Sequence, residues 1–148
     1  MKKIICSLIA AAVLLTSAAV FADSSAIIIN GETAVIAEGM GSVVTHADRT
    51  FVPIRFALEY FGYNVTWNDE DKLVLGRNEA GDVFVMQVGS NLLFFKGADG
   101  TDETINMDVE PFLNEEEGRT YIPLRFLAEA IKYEVGYDEA TNTVTLTK

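Results

Sequence analysis

The stretch RTFVPIRFALE at residues 49–59 decides the fold, because it returns as RTYIPLRFLAE at residues 119–129. The two copies are 70 residues apart (119 − 49), and the same offset relates Trp67 to another aromatic residue, Tyr137. A fixed offset that holds over several positions is typical of an internal repeat. The sequence therefore predicts two halves of similar structure.

Each copy predicts a short helix that begins at its proline. Pro53 suits the first turn of a helix, because the N–H group that proline lacks would be unpaired there. Apolar residues then follow at the i, i+3, i+4 and i+7 spacing of one helical face. These residues are Ile54, Ala57, Leu58 and Phe61 in the first copy, and Leu124, Leu127, Ala128 and Ile131 in the second. Gly62 suits the left-handed conformation that ends the first helix.

Short strands separated by turns fill the rest of both halves. Asn30-Gly31 is the residue pair of a tight hairpin turn, because both central residues of that turn take positive φ. β-Branched and alternating segments predict strands at residues 26–29, 33–37, 42–45, 50–52, 63–68, 72–75, 83–88, 91–96, 104–107, 119–122, 134–137 and 143–147. Hairpin links between them predict antiparallel pairing, since a parallel pair needs a longer crossover.

These elements predict an α+β fold with short antiparallel strands and two short helices packed on sheet faces. Each half, residues 26–76 or residues 83–148, is too small to bury a core by itself. The internal duplication is therefore expected to share one core between its halves, within a single domain over residues 23–148.

The first 22 residues predict a signal peptide for export. A basic start precedes an apolar run at residues 4–15, and small residues before Asp23 suit a cleavage site. The run is shorter than the ~20 residues that span a bilayer. We expect cleavage of residues 1–22 after Ala22, which also removes the lone Cys6. The mature protein is expected to have no membrane span and to be secreted or held in the cell envelope.

The chain is acidic, with a formal charge of −11. Nucleic-acid binding depends on clustered lysine and arginine residues that displace counterions, and the sequence has no such cluster. We therefore expect no nucleic-acid partner. The acidity is typical of a protein that stays soluble outside the cell.

The sequence contains no catalytic or cofactor motif. It lacks a nucleophile elbow, a phosphate-binding loop and a paired-histidine metal motif, and its one histidine is His46. The acidic turns at residues 69–71 and 99–103 do not fit the spacing of a calcium loop. We expect no catalytic residue, no metal and no cofactor. Two carboxylates acting on a glycosidic bond, however, would leave little trace in a sequence.

The candidate ligand-binding residues lie at repeated positions: Arg55, Arg125, Trp67 and Tyr137. Each arginine has a glutamate four positions later, so it is expected in a local ion pair or in a groove that binds an anionic glycan or a carboxylate. The two aromatic residues are expected in the core, or in a strip that binds sugars or protein. The structural role is favoured for the arginines, because a repeated position in a repeated fold usually repeats a structural task. A core position is favoured for the aromatic residues on burial tendencies.

The pattern Arg-Thr-aromatic-aliphatic-Pro-aliphatic-Arg-Phe at residues 49–56 and 119–126 resembles the copper amine oxidase N-terminal domain, also called the stalk domain. The Asn30-Gly31 hairpin and the closing strand pair extend the resemblance over essentially all of the chain after the leader. One departure is Lys132, which replaces the glycine that ends the second helix. The resemblance implies a non-catalytic accessory domain of a secreted or surface protein. Copper and the quinone of the oxidases belong to a different, catalytic domain.

These observations predict a secreted, non-catalytic accessory or binding module that contacts a cell-envelope component or an extracellular protein. The alternative is a small extracellular hydrolase, or an enzyme inhibitor, that acts on wall polymers. A deep cleft with two facing carboxylates would favour that alternative. Self-association through an exposed sheet edge is a further expectation.

Overall fold

The computed structural model describes residues 26–148, so the signal peptide expected at residues 1–22 lies outside the described residues. Thirteen strands and two helices form within this part of the chain. In order they are β1 (Ala26–Ile29), β2 (Glu32–Ala34), β3 (Val44–His46), β4 (Arg49–Pro53), α1 (Ile54–Tyr60), β5 (Asn64–Asn68), β6 (Leu73–Arg77), β7 (Val83–Gln87), β8 (Leu92–Lys96), β9 (Asp102–Asn106), β10 (Phe112–Asn114), β11 (Arg119–Pro123), α2 (Leu124–Ala130), β12 (Glu134–Asp138) and β13 (Thr143–Thr147). The expectation of an α+β fold is confirmed.

The two copies of the repeated stretch pair with each other in a four-stranded sheet of order β10-β11-β4-β3, here called the central sheet. Val52 lies opposite Ile122, Phe51 opposite Pro123, and Pro53 opposite Tyr121. Val52 and Ile122 are themselves 70 residues apart, and the flanking pairs exchange equivalent positions. The pairing is therefore symmetric about a local two-fold axis, which passes between Val52 and Ile122 perpendicular to the sheet.

A helix and a hairpin follow each central strand. The hairpin after α1 begins the five-stranded sheet β5-β6-β7-β8-β9, and the hairpin after α2 belongs to the four-stranded sheet β12-β13-β1-β2. Strand β1 pairs with β13 in parallel, with Ala26 opposite Thr143 and Ile29 opposite Leu146. The expectation of antiparallel pairing is wrong for this one pair, because the two strands lie far apart in the sequence and no hairpin joins them.

The two helices begin and end in the same way. Each starts directly after its proline, because Pro53 and Pro123 are the N-caps and close the preceding strands. The expectation of a proline inside the first turn is wrong by one residue, since each proline lies directly before its helix. At the other end, Gly62 (φ +84°) and Lys132 (φ +70°) both take the left-handed conformation. Lys132 thus performs the capping role of a glycine at a position where a side chain is strained.

One hydrophobic cluster contains buried residues from both halves of the chain. The apolar helix faces expected from the sequence lie in it, with Ile54, Ala57 and Leu58 buried in α1 and their equivalents Leu124, Leu127 and Ala128 buried in α2. Helix α1 contacts β11 and helix α2 contacts β4, so each helix packs on a central strand of the other half. Because each helix packs on a strand of the other half, residues of both halves lie next to each other at the start of each helix.

The loop before β3 packs, at Gly41, against Pro53 at the end of β4 and against Arg119 and Tyr121 in β11. Gly41 has φ +92°, and a Cβ atom at this position would lie 2.8 Å from Cγ of Pro53 and 2.9 Å from the hydroxyl oxygen of Tyr121. The Tyr121 hydroxyl donates a hydrogen bond to Glu117 at 2.5 Å. This close approach leaves room for glycine only.

Candidate functional site

A cleft of about 430 Å³ lies between the start of α2, the strand pair β3–β4 and strand β12. Its lining includes Arg125 and Tyr137, two of the four candidate residues from the sequence, together with Arg49, Thr50 and Val135. We call it the Tyr137 cleft. The candidate residues come from the second half of the chain, whereas Arg49 and Thr50 come from the first.

A second cleft, of about 300 Å³, lies between the start of α1, strands β10 and β11, and the hairpin β5–β6. It contains the other two candidate residues, Arg55 and Trp67, together with Arg119, Thr120 and Val65. We call it the Trp67 cleft. The structure therefore brings the four candidates together as two pairs, each consisting of an arginine and an aromatic residue.

The two clefts are lined by equivalent residues. Adding 70 to the number of Arg55, Val65 or Trp67 in one cleft gives Arg125, Val135 or Tyr137 in the other. The contributions from the opposite half also correspond, since Arg49 and Thr50 occupy one cleft and Arg119 and Thr120 the other. Sequence reasoning missed Arg49 and Arg119 as candidates, although both stand first in the repeated stretch.

The helix arginines form the local ion pairs expected from their spacing. Arg125 Nε lies 3.3 Å from an oxygen of Glu129, and Arg55 Nη1 lies 3.6 Å from an oxygen of Glu59. The side chains of Arg125 and Arg55 are nevertheless 61% and 50% exposed. Exposed pairs of this kind are weak, so the guanidinium groups remain accessible to a ligand.

Arg49 holds a carboxylate at the edge of the Tyr137 cleft. Its Nη2 donates to Asp108 at 2.5 Å, and its Nε lies 3.2 Å from the same carboxylate oxygen. This hydrogen bond holds the pKa of Asp108 below its ordinary value, and the positive charge of Arg125 acts in the same direction. In the Trp67 cleft, the equivalent Arg119 donates instead to the backbone carbonyl of Gly39.

The aromatic residues of the clefts are held by polar contacts at their edges. The Tyr137 hydroxyl donates to Asn142 at 2.6 Å, and Trp67 Nε1 donates to Asp69 at 3.4 Å. The Tyr137 side chain is 56% exposed, whereas Trp67 is half-buried against the core. The expectation of a core position is therefore wrong for Tyr137. Both residues lie on edge strands, but only Trp67 packs against the hydrophobic cluster.

A third cleft, of about 360 Å³, lies where the ends of the two helices meet the five-stranded sheet. It includes two carboxyl groups, Asp82 and Asp99. A hydrogen bond from the Ala98 N–H lowers the pKa of Asp82, and a hydrogen bond from the Thr101 side chain lowers that of Asp99. Tyr63 donates to Asp82 at 3.5 Å, and burial raises the pKa of its hydroxyl to about 12.

Two further properties concern residues 26–148 alone. No three histidine, cysteine or acidic side chains in this range lie close enough together to hold a metal ion. Neither helix of the range has the length and apolar character needed to cross a membrane.

His46 lies exposed on β3, and its ring contacts Phe112 and Phe51 with centroids 5.0 and 5.5 Å apart.

Comparison with known proteins identifies the family. The model of the copper amine oxidase N-terminal domain matches residues 41–146, which include both arginine–aromatic clefts. The match begins after the Asn30-Gly31 hairpin, so β1 and β2 lie outside it. No curated protein and no solved structure matches the chain. The matched domain is non-catalytic in the oxidases. The match covers more than half of the chain, which therefore belongs to the copper amine oxidase N-terminal domain family.

Proposed function

We propose that this chain is an exported, non-catalytic accessory module that binds an acidic component of the cell envelope, or an extracellular protein, through its two arginine–aromatic clefts. The observation that carries the proposal is the repeated composition of those clefts. Each combines two guanidinium groups with a partly exposed aromatic ring and a valine. Guanidinium groups bind carboxylates and phosphates through directed hydrogen bonds, and an aromatic ring provides a flat amphipathic surface beside them.

The net charge of the chain limits how such binding can occur. A formal charge of −11 repels an acidic ligand at long range, so electrostatic steering does not favour association. Short-range contacts with the arginines and the aromatic ring must then supply the affinity. We therefore expect binding that persists, or strengthens, as added salt screens the repulsion.

The third cleft gives no support to the hydrolase alternative. A glycosidase needs a carboxylic acid whose pKa is raised, so that it is protonated when it meets its substrate. The carboxyl groups of that cleft, Asp82 and Asp99, both have lowered pKa values. The non-catalytic character of the matched domain agrees with an accessory role.

Binding to isolated cell envelope tests the proposal. Purified residues 23–148 should sediment with envelope, and the double variant Arg55→Ala/Arg125→Ala should lose most of this retention. The matched control is Arg77→Ala/Lys96→Ala, which removes the same charge from exposed positions of the five-stranded sheet outside both clefts. Equal retention of the two double variants would contradict binding through the clefts.

The proposed export is tested separately, because it rests on the signal peptide predicted at residues 1–22 and not on the clefts. Expression of the whole chain in a secreting bacterium should release a protein whose first residue is Asp23. Recovery of the chain inside the cell with Met1 to Ala22 still attached would contradict export.

A further inference from the structure

We infer that the Tyr137 and Trp67 clefts are two equivalent sites for the same ligand, a glycan with repeated carboxylate groups, so that one chain binds two ligand segments. This inference rests on the proposed binding function and deepens it. It makes the module bivalent and gives a chemical class to its ligand.

The symmetry comes from the central sheet. The pairing of β4 with β11 is symmetric about Val52 and Ile122, and a two-fold axis perpendicular to the sheet keeps both clefts on the same face. Thr50 and Thr120 mark the two clefts on that face. Thr50 lies two residues from the axis along β4, and Thr120 lies two residues from it along β11, in the opposite direction. The Cα atoms of the two threonines are therefore roughly 14 Å apart. Two ligand segments can therefore bind on opposite sides of the axis.

The cleft chemistry fits a carboxylated sugar. In the Tyr137 cleft, Arg49 binds the carboxylate of Asp108 through two of its nitrogens, which is the geometry by which a guanidinium binds a carboxylate. Arg125 lies near enough to Asp108 to lower the pKa of that carboxyl group as well. The ring of Tyr137 and the side chain of Val135 form an apolar wall beside the two arginines. A pyranose ring has an apolar face that can pack on an aromatic ring.

The Trp67 cleft repeats these groups with different local partners. Arg55 and Arg119 provide the two guanidinium groups, and Trp67 and Val65 provide the apolar wall. The hydrogen bond of Arg119 to the Gly39 carbonyl leaves its remaining N–H groups for a ligand. The protein supplies no carboxylate to Arg119 among its described side-chain contacts, in contrast to Asp108 at Arg49.

This difference predicts unequal affinities. A ligand carboxylate that enters the Tyr137 cleft competes with Asp108 for Arg49, whereas a ligand in the Trp67 cleft meets no such competitor. The Trp67 cleft should therefore bind more tightly. The substitution Asp108→Asn should strengthen binding in the Tyr137 cleft by roughly two- to fivefold, the range expected when a weak exposed ion pair is removed.

Titration with trigalacturonate tests the inference, because the two clefts have separate readouts. Trp67 is the only tryptophan in the chain, so its fluorescence reports on one cleft alone, while calorimetry counts both. The wild-type protein should bind two molecules. Arg125→Ala/Tyr137→Ala should bind one and keep the tryptophan response. Arg55→Ala/Trp67→Phe should also bind one, which calorimetry alone detects.

Three results would overturn the inference, and they are distinguishable. A single bound molecule, abolished by one double variant and unaffected by the other, would leave the proposed function standing and remove the bivalency. Equal or tighter binding of glycerol phosphate oligomers would remove the carboxylate assignment. Absence of binding to trigalacturonate would remove the inference, and the envelope sedimentation would then decide the proposed function separately. Circular dichroism of each variant confirms that it folds.

A long polymer supplies the second measurement. Two sites on opposite sides of an axis can join two polymer strands, so wild-type protein should increase the light scattering of polygalacturonate solutions. Variants with one intact cleft should bind the polymer without this increase. Their retention on a dense polygalacturonate surface should fall by roughly a hundredfold, because the second attachment is lost. Scattering that persists in both single-cleft variants would contradict bridging by the clefts.

Discussion

Val52 and Ile122 face each other across β4 and β11, and each side chain is 0% exposed. They occupy equivalent positions in the two copies of the repeated stretch, and the local two-fold axis passes between them. The pair therefore belongs to the core and lies at the centre of the register that relates the two clefts.

Truncation of this pair should destabilise the whole domain. Ile122→Ala removes buried methyl and methylene groups from a fully buried site, which costs about 2–5 kcal/mol in the free energy of unfolding. Urea denaturation followed by circular dichroism measures this change. Val35→Ala is the control, because Val35 is 77% exposed and its loss should stay within about 0.5 kcal/mol. A loss below about 1 kcal/mol for Ile122→Ala would contradict the central position of this residue.

Gly41 should tolerate no side chain. Gly41→Ala combines a positive φ with contacts of 2.8 and 2.9 Å to Pro53 and Tyr121, whereas Gly39→Ala at φ +82° meets no atom within 4 Å. Backbone strain alone should cost Gly39→Ala about 1 kcal/mol, and the clash should cost Gly41→Ala a further 1–3 kcal/mol or so. Chemical denaturation of both variants separates the two effects. Equal losses would indicate that the loop moves away without cost.

Lys132 should be a position where glycine stabilises the fold. Its φ of +70° is unfavourable for a side chain, and the equivalent position carries Gly62. Lys132→Gly also removes the ion pair with Glu103, so Lys132→Ala, which removes the ion pair and keeps a Cβ, is the control. The glycine variant should be more stable than the alanine variant by about 1 kcal/mol. The reverse order in thermal unfolding would contradict this explanation of the helix cap.

Alkaline pH should weaken the fold through Tyr63. Burial, and next the charge of Asp82, raise the pKa of its hydroxyl to about 12, above the value of about 10 for an unfolded tyrosine. Between these values the unfolded chain loses the proton more readily, so the stabilising contribution is complete below about pH 10 and decreases as the pH rises toward 12. The urea midpoint should fall less between pH 9 and pH 11 in Tyr63→Phe than in the wild type. Equal falls would exclude Tyr63 as the titrating group.

The sequence was sufficient for the helices and for most strands. The i, i+3, i+4, i+7 pattern identified both buried helix faces, and Asn30-Gly31 forms its turn with positive φ at both residues. These features depend on local rules, namely side-chain periodicity and the conformations open to glycine and asparagine. Local rules give the type of an element more reliably than its neighbours in a sheet.

The sheet arrangement and the clefts needed the three-dimensional structure. The parallel pairing of β1 with β13 joins residues more than a hundred positions apart, and no local signal specifies it. Arg49 and Arg119 reach the clefts only because β4 and β11 pair with each other. The exposure of Tyr137 likewise depends on tertiary packing, because the equivalent Trp67 also lies on an edge strand and yet packs against the core.

The parallel pairing of β1 with β13 has a consequence for how the domain is made. Strand β1 is the first described element to leave the ribosome, yet one of its two neighbours is the last. Its edge toward β13 therefore stays open during synthesis, and this sheet cannot be completed until residues 143–147 emerge. Until then Ile27 and Ile29, which are buried in the folded domain, are exposed to chaperones or to another copy of the chain.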